Sequence, residues 1–199
     1  MRRIILASTS PRRRELLTQL IGDNFQVIPS AYNELMVEGL DPASRVLQHA
    51  LEKGRDVVAK YPDSVIIAAD TGISCGGKFL GKPADKEDAI SMLGMMSGRA
   101  VEVLTGIVVI DSENGIEESD IISTQIEMTH LSREEIIAYV KTGEPMGKAG
   151  AFAIQGLGAV LVEKLEGDFF NVVGLPLFRL SQMLKNTGVD VFGLMQADV

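Results

Sequence analysis

Tryptophan is absent from this 199-residue chain, aromatic residues make up only 5% of it, and Cys75 is its single cysteine. One cysteine cannot close an internal disulfide, and with two histidines it supplies no zinc-binding constellation. No apolar run approaches the roughly 20 residues of a membrane span. Ile4–Ala7 is too short for the apolar core of a signal peptide and runs into arginines. These absences point to the cytoplasm. Basic residues are also in deficit, 19 Lys and Arg against 27 Asp and Glu, for a net charge of −8. Broad attraction to nucleic acid or to an anionic membrane is thereby disfavoured, so an anionic ligand has to be captured locally. With so few aromatics, Val, Ile, Leu, Ala and nine Met fill a core large enough for one domain or two tightly joined lobes.

Against that charge, Arg2, Arg3, Arg12, Arg13 and Arg14 all fall in the first fourteen positions. Arg3–Ala7 reads as a short buried strand. Ser10 is a fitting N-cap and Pro11 a fitting first helical residue, and Leu16, Leu17, Leu20 and Ile21 then give a helical stripe ending at Gly22. Strand, small polar turn and helix N-terminus form a general phosphate-binding arrangement, because the first turn offers unpaired N–H groups and the positive end of the dipole. Arginines on that turn add forked donors suited to phosphate oxygens. Arg13 shares the apolar stripe and is expected to face inward, whereas Arg14 lies off it. The alternative is a solvated basic turn with structural ion pairs.

Further along, Phe25–Ile28 reads as a strand, 29–41 as irregular, and Asp41-Pro42 as the start of a helix with Leu47, Leu51, Gly54 and Val58 on one face. Ser64–Ala69 is an unbroken apolar, β-branched run, the mark of a strand buried on both faces. It is predicted to stop at Asp70-Thr71-Gly72. A carboxylate there would sit at the C-terminal edge of the strand, where α/β proteins place ligands; an Asx turn is the equal alternative. Cys75-Gly76-Gly77-Lys78 reads as a hairpin turn, Asp85–Met96 as a helix, and 100–110 and 116–128 as strands joined at Glu113-Asn114-Gly115. Ser132 and Glu135 form a capping box for a helix to about Lys141. Ala151–Ile154 and Ala159–Leu165 read as strands, Leu175–Lys185 as the last helix, and the tail from Thr187 carries no motif. Strands mixed with helices, including a long hairpin, predict an α/β protein with a mixed sheet.

Other candidates are weaker individually. Lys82 and Lys148 lie in glycine-flanked loops that allow close backbone approach and offer charge to phosphates. Gln155 precedes Gly156-Leu157-Gly158 and could pair with an amide edge or cap a turn. Glu34 and Lys53 are unremarkable by position. His49 and His130 read as packing residues, and Cys75 as a hairpin residue.

Five stretches together are more specific: LASTSPRRRELL (6–17), AADT (68–71), LGKP (80–83), KAGAFAIQGLGA (148–159) and NVVGLP (171–176), in order over residues 3 to 186. This pattern resembles the Maf family of nucleoside triphosphate pyrophosphatases, first linked to septum formation. The resemblance implies one domain over residues 1–199 with the ITPase-like fold, an elongated mixed sheet flanked by helices, with two lobes around a central cleft. It implies hydrolysis between the α- and β-phosphates with a divalent cation, Mg²⁺ or Mn²⁺. Asp70 corresponds to the general base, and Glu34, Lys53 and Lys82 to further functional positions in catalysis. Ser8, Ser10 and Arg13 match substrate positions, and Lys148 joins them from its loop. Asp70 and Glu34 are the oxygen ligands available to the cation. Arg12, Thr71 and Gln155 correspond to the specificity positions, with the residues of the dTTP- and UTP-preferring subgroup. Nucleoside triphosphate is the expected partner, with no stable nucleic-acid or membrane binding, and homodimerisation follows from the resemblance alone. A non-catalytic nucleotide-binding regulator of cell division is the rival reading. Gly147 and Gly72 depart from the pattern, standing where the family has an acidic and an aliphatic residue.

Overall fold

The apolar runs near the start of the chain form strands because both of their faces are covered. The computed structural model describes residues 2–33 and 39–196. In it, β1 (Arg3–Leu6) lies parallel to β3 (Ser64–Cys75), with Leu6 opposite Ile67, and the short β2 (Gln26–Val27) pairs parallel with β1 on its other side. β5 (Ala100–Asp111) and β6 (Ile116–Met128) continue antiparallel from β3, and β7 (Val162–Glu166) pairs antiparallel with β6. The seven-stranded mixed sheet has the order β2-β1-β3-β5-β6-β7, with β4 (Lys78–Leu80) paired antiparallel to the far end of β3. No described helix is long and apolar enough to cross a membrane.

Alternation along the strands divides the core. Ile4, Leu6, Val65, Ile67 and Ala69 pack on one face with α1 (Pro11–Ile21), α6 (Leu177–Asn186) and α7 (Val191–Gln196). Ile5, Ala7, Ile66 and Ala68 pack on the other with α2 (Pro42–Val58). A separate cluster around Ile73, Leu93, Met96, Val103, Ile126 and Val140 fills the far half of the long strands, against α3 (Lys86–Met96) and α4 (Arg133–Lys141). Residues 70–72 of β3 fall between these cores.

The helices start where their caps predict. Ser10 Oγ accepts from the Arg13 N–H, Asp41 accepts from the Ala43 and Ser44 N–H groups, and Ser132 and Glu135 close a reciprocal capping box. Gly76 and Gly77, both at positive φ, make the predicted two-residue turn between β3 and β4.

Several expectations need correction. β3 does not stop at Asp70. Continued pairing with β5, out to Ser74 opposite Glu102, carries it to Cys75, so Asp70 is mid-strand. Ala151–Ile154 is not a strand: residues 149–151 form a 3-10 turn with Gly150 at φ +64°. The strand expected at Ala159–Leu165 is occupied first by a 3-10 segment to Leu161 and begins only at Val162. A short helix α5 (Phe169–Val173), capped by Asp168, was not foreseen, and the motif-free tail folds as α7, burying Leu194.

Strand β1 releases β3 after Ile67, and β4 takes up the same edge only at Ile73. Among the described residues, 68–72 have no strand partner on that edge. The interrupted edge is where the cleft opens.

Candidate active site

A cleft of about 620 Å³, in the size range of ligand sites, is lined by the β1–α1 turn, α2, the centre of β3, and the loops around Lys82, Lys148 and Gly174. Its cationic lining residues are Arg12, Arg13, Lys53, Lys82 and Lys148, and its one described carboxylate is Asp70.

Adjacent residues of β3 point to opposite faces of the sheet. Asp70 meets α2, where Lys53 Nζ lies 2.6 Å from Oδ1 with both side chains only 11–12% exposed. Oδ2 carries no hydrogen bond from a described residue. α2 comes this close because Asp70's cross-strand neighbour is Gly106, which lets the Val46–Leu47 backbone rest on the sheet. Thr71 faces α1: its Oγ1 accepts from Arg13 Nη2 at 2.8 Å, while Arg13 Nε donates to the Gly174 carbonyl at 2.7 Å. The inward orientation expected for Arg13 is therefore observed.

The other arginines of the N-terminal group separate by role. Arg2 pairs with Asp111 and donates to the Thr187 carbonyl at 2.9 Å, clamping β1 to the C-terminal segment. Arg3 donates to Gln26 and stacks on Tyr61. Arg14 is exposed on the far side, beside Asp23 and Phe25. Arg12 and Arg13 are the two that line the cleft. Burial pushes the Arg12 guanidinium below its ordinary value, an effect offset in part by Tyr139, Glu144 and Glu15. Lys148 is lowered by burial and then by the positive charge of Arg12. Glu144 offsets part of both shifts, and an anion held between the two cations would offset more.

Ser8 is buried and its Oγ accepts from the Ser10 N–H at 3.1 Å, shaping the turn that presents the N-terminus of α1 to the cleft. The Lys82 and Lys148 loops are tied together, since the Gly150 N–H donates to the Gly81 carbonyl at 2.9 Å. Gln155 is exposed and does not line the cleft. Glu34 lies outside the described residues. His49 is buried and Cys75 sits at the hairpin, as expected. Both departures from the family pattern have local reasons. A Cβ on Gly72 would meet the Phe79 ring at 2.1 Å, and Gly147 adopts φ +74°, a conformation that favours glycine.

Sequence reasoning missed Tyr32, Phe152 and Gly174 in the lining, and the pair Tyr139 and Glu144 beside it. Gly174 and Phe152 lie inside quoted stretches, but nothing in the sequence marked the others. Glu144 Oε1 accepts from the Leu157 N–H, and Oε2 accepts from the Gly158 N–H and Tyr139 Oη, at 2.7–2.9 Å. Burial alone would raise the Glu144 carboxyl. The hydrogen bonds from Tyr139, Gly158 and Leu157, with the charge of Lys148, outweigh it and leave the group below the usual carboxylate range. Burial, reinforced by Glu144, raises the Tyr139 phenol well above its ordinary value.

Glu144→Gln turns one acceptor oxygen into a donor and strands at least one N–H. The expected loss is about 1.5–3 kcal/mol of stability at pH 7. Because the folded-state value is depressed, Glu144's contribution is present above its unfolded value near 4.5 and disappears as pH falls through the folded value. Urea unfolding of both proteins should therefore show a gap at pH 7 that closes below pH 4.5. A gap that persists unchanged in acid would mean that the carboxylate charge is not what holds the turn.

The mixed sheet, with its cationic cleft at an interrupted strand edge, has its counterpart in sequence: residues 3–187 match the family described as Maf-like protein, and the chain belongs to that family. Relatives at 42–53% identity bear the name dTTP/UTP pyrophosphatase. That of Methanosarcina barkeri is 53% identical over 96% of this chain and 98% of its own length, and that of Moorella thermoacetica is 47% identical over 97% and 99%. Among solved structures, a HAM1 protein from Coxiella burnetii superposes with a TM-score of 0.51 at 15% identity, covering 94% of this chain and all of that one, a likeness of fold alone.

Proposed function

We propose that this protein hydrolyses dTTP and UTP to the nucleoside monophosphate and pyrophosphate. The observation that carries the reading is the cleft's charge: five cations around one described carboxylate in a chain of net charge −8. A triphosphate is the kind of ligand that such a concentration of positive charge suits. The relatives' names supply the bases, and two of the three residues of the specificity set, Arg12 and Thr71, line the cleft, while Gln155 does not.

In the proposed reaction, water attacks the α-phosphorus, the bond to the bridging oxygen breaks, and pyrophosphate leaves. Asp70 takes the water's proton on Oδ2, while Lys53 holds Oδ1 and fixes the carboxylate. Arg13, held through Nε and Nη2, lends a rigid guanidinium to the phosphates, and the N-terminus of α1 with Arg12, Lys82 and Lys148 completes their cradle. Phosphoryl transfer depends mainly on such positioning and charge stabilisation. A divalent cation, Mg²⁺ or Mn²⁺, belongs to the proposal. The described residues hold no group of three or more His, Cys, Asp or Glu able to bind one alone. One or two carboxylates plus substrate phosphates are the usual Mg²⁺ set, which Asp70 fits and to which the resemblance adds Glu34. When bound, the cation neutralises phosphate charge. Residues 1–199 are read as one catalytic domain acting on free nucleotides in the cytoplasm, with homodimerisation resting on the resemblance.

Product analysis tests this. With Mg²⁺ or Mn²⁺, dTTP and UTP are expected to give monophosphate and pyrophosphate in equal amounts, and chelation is expected to abolish the reaction. Orthophosphate with a diphosphate product would place the cut at the β–γ bond and overturn the proposal.

A further inference from the structure

We propose that Thr105 is a positioning residue that orients Arg13 without touching the substrate; the inference rests on the reading of Arg13 as a phosphate-binding group. Thr105 lies on β5 directly opposite Thr71 and is fully buried. Thr71 Oγ1 and Thr105 Oγ1 are 3.0 Å apart, and Thr105 Oγ1 is 3.2 Å from the Asn171 carbonyl. A carbonyl can only accept, so the Thr105 hydroxyl donates to Asn171. Thr105 Oγ1 is then the acceptor for the Thr71 hydroxyl, and Thr71 Oγ1 is the acceptor for Arg13 Nη2. Every proton in the relay is assigned from its far end.

That far end is rigid. The Asn171 side chain donates to the Val103 carbonyl at 2.9 Å and to Thr124 Oγ1 at 3.0 Å, and Asp168 caps the short helix α5 that carries Asn171. Gly174, immediately after α5, supplies the carbonyl that holds Arg13 Nε. These two contacts of the guanidinium therefore trace to α5, one directly and one through two hydroxyls. Removing the Thr105 hydroxyl leaves Thr71 free to turn its own proton elsewhere and loosens the hydroxyl that receives Arg13 Nη2.

The test compares Thr105→Val and Thr105→Ser, each alone and with Arg13→Lys, by pyrophosphate affinity in titration calorimetry and by kcat/KM on dTTP. Thr105→Val is expected to weaken pyrophosphate binding and lower kcat/KM by about 3- to 12-fold, the scale of one neutral hydrogen bond, and Thr105→Ser to restore both to within about twofold. In the Arg13→Lys background, where the forked donor is gone, Thr105→Val should change either quantity by less than about twofold. Equal factors in both backgrounds, a valine variant matching the wild type, or failure of serine to rescue would each overturn the proposal. If Thr105→Val does not fold, Thr105→Ala is read in its place. Failure of the wild type to cleave dTTP would count against the proposed function, while the pyrophosphate affinities would still decide the role of Thr105.

Discussion

Asp70→Asn is expected to lower kcat on dTTP by at least ~10²-fold, the lower bound of what a positioned general base contributes. Asparagine keeps the size of the side chain and an oxygen for Lys53 Nζ, now 2.6 Å from Oδ1, so the variant should fold. What it loses is the basic oxygen and one negative charge in a cleft otherwise lined by cations. The loss should fall on kcat more than on KM, because proton removal occurs in the transition state and not in the bound substrate. Steady-state kinetics with a thermal melt of the same preparation distinguish the cases. Near-wild-type turnover by a folded Asp70→Asn protein would reduce Asp70 to an ion-pair partner of Lys53.

Gly106→Ala is expected to be the most destabilising small substitution near the cleft. A Cβ at this position would lie 2.4 Å from the Val46 carbonyl oxygen, 2.5 Å from its carbon and 2.6 Å from Leu47 Cα. All three are backbone atoms of α2, so no rotamer change relieves the overlap, and the helix has to lift from the sheet. Overpacking costs typically 1–3 kcal/mol, and a clash confined to backbone belongs at the top of that range, about 3 kcal/mol. For a chain of this size that corresponds to a drop in Tm of roughly 6–12 °C. Because α2 also carries Lys53, the surviving folded protein should turn over dTTP more slowly than the wild type. A melting temperature within about 2 °C of wild type would show that α2 tolerates the added methyl group and does not depend on Gly106 for its approach.

Much of the architecture was legible because it is local. Ser10-Pro11, Asp41-Pro42 and Ser132 with Glu135 mark helix starts by satisfying first-turn N–H groups within a few residues. The unbroken run at Ser64–Ala69 announced a strand covered on both faces, as α2 and the α1–α6 side now cover it. Polar Asp70-Thr71-Gly72 looks like a turn in sequence, whereas pairing with β5 carries β3 on through it. Ala151–Ile154 and the start of Ala159–Leu165 read as strands because apolar residues there resemble a β run, yet a glycine at positive φ and the grip of Glu144 bend the chain.

For the site, the sequence by itself determined the inventory: a cationic, hydroxyl-rich turn at a helix N-terminus, a carboxylate after an apolar strand, and two glycine-flanked lysines. It could place Arg13 inward from helical spacing, since i, i+3 and i+4 neighbours share a face. Only the tertiary structure decided which groups meet. Lys53, unremarkable on its helix, became the partner of Asp70 because Gly106 lets α2 approach the sheet. Arg2 and Arg3 were drawn into structural contacts and Arg14 left on the surface, leaving Arg12 and Arg13 to the cleft. Glu144 and Thr105 carry no sequence signal at all, and Asn171 carries only its place in the NVVGLP stretch. Their partners lie 5 to 68 residues away, and hydrogen bonds between such distant positions depend on strand register and helix docking, which local sequence does not encode.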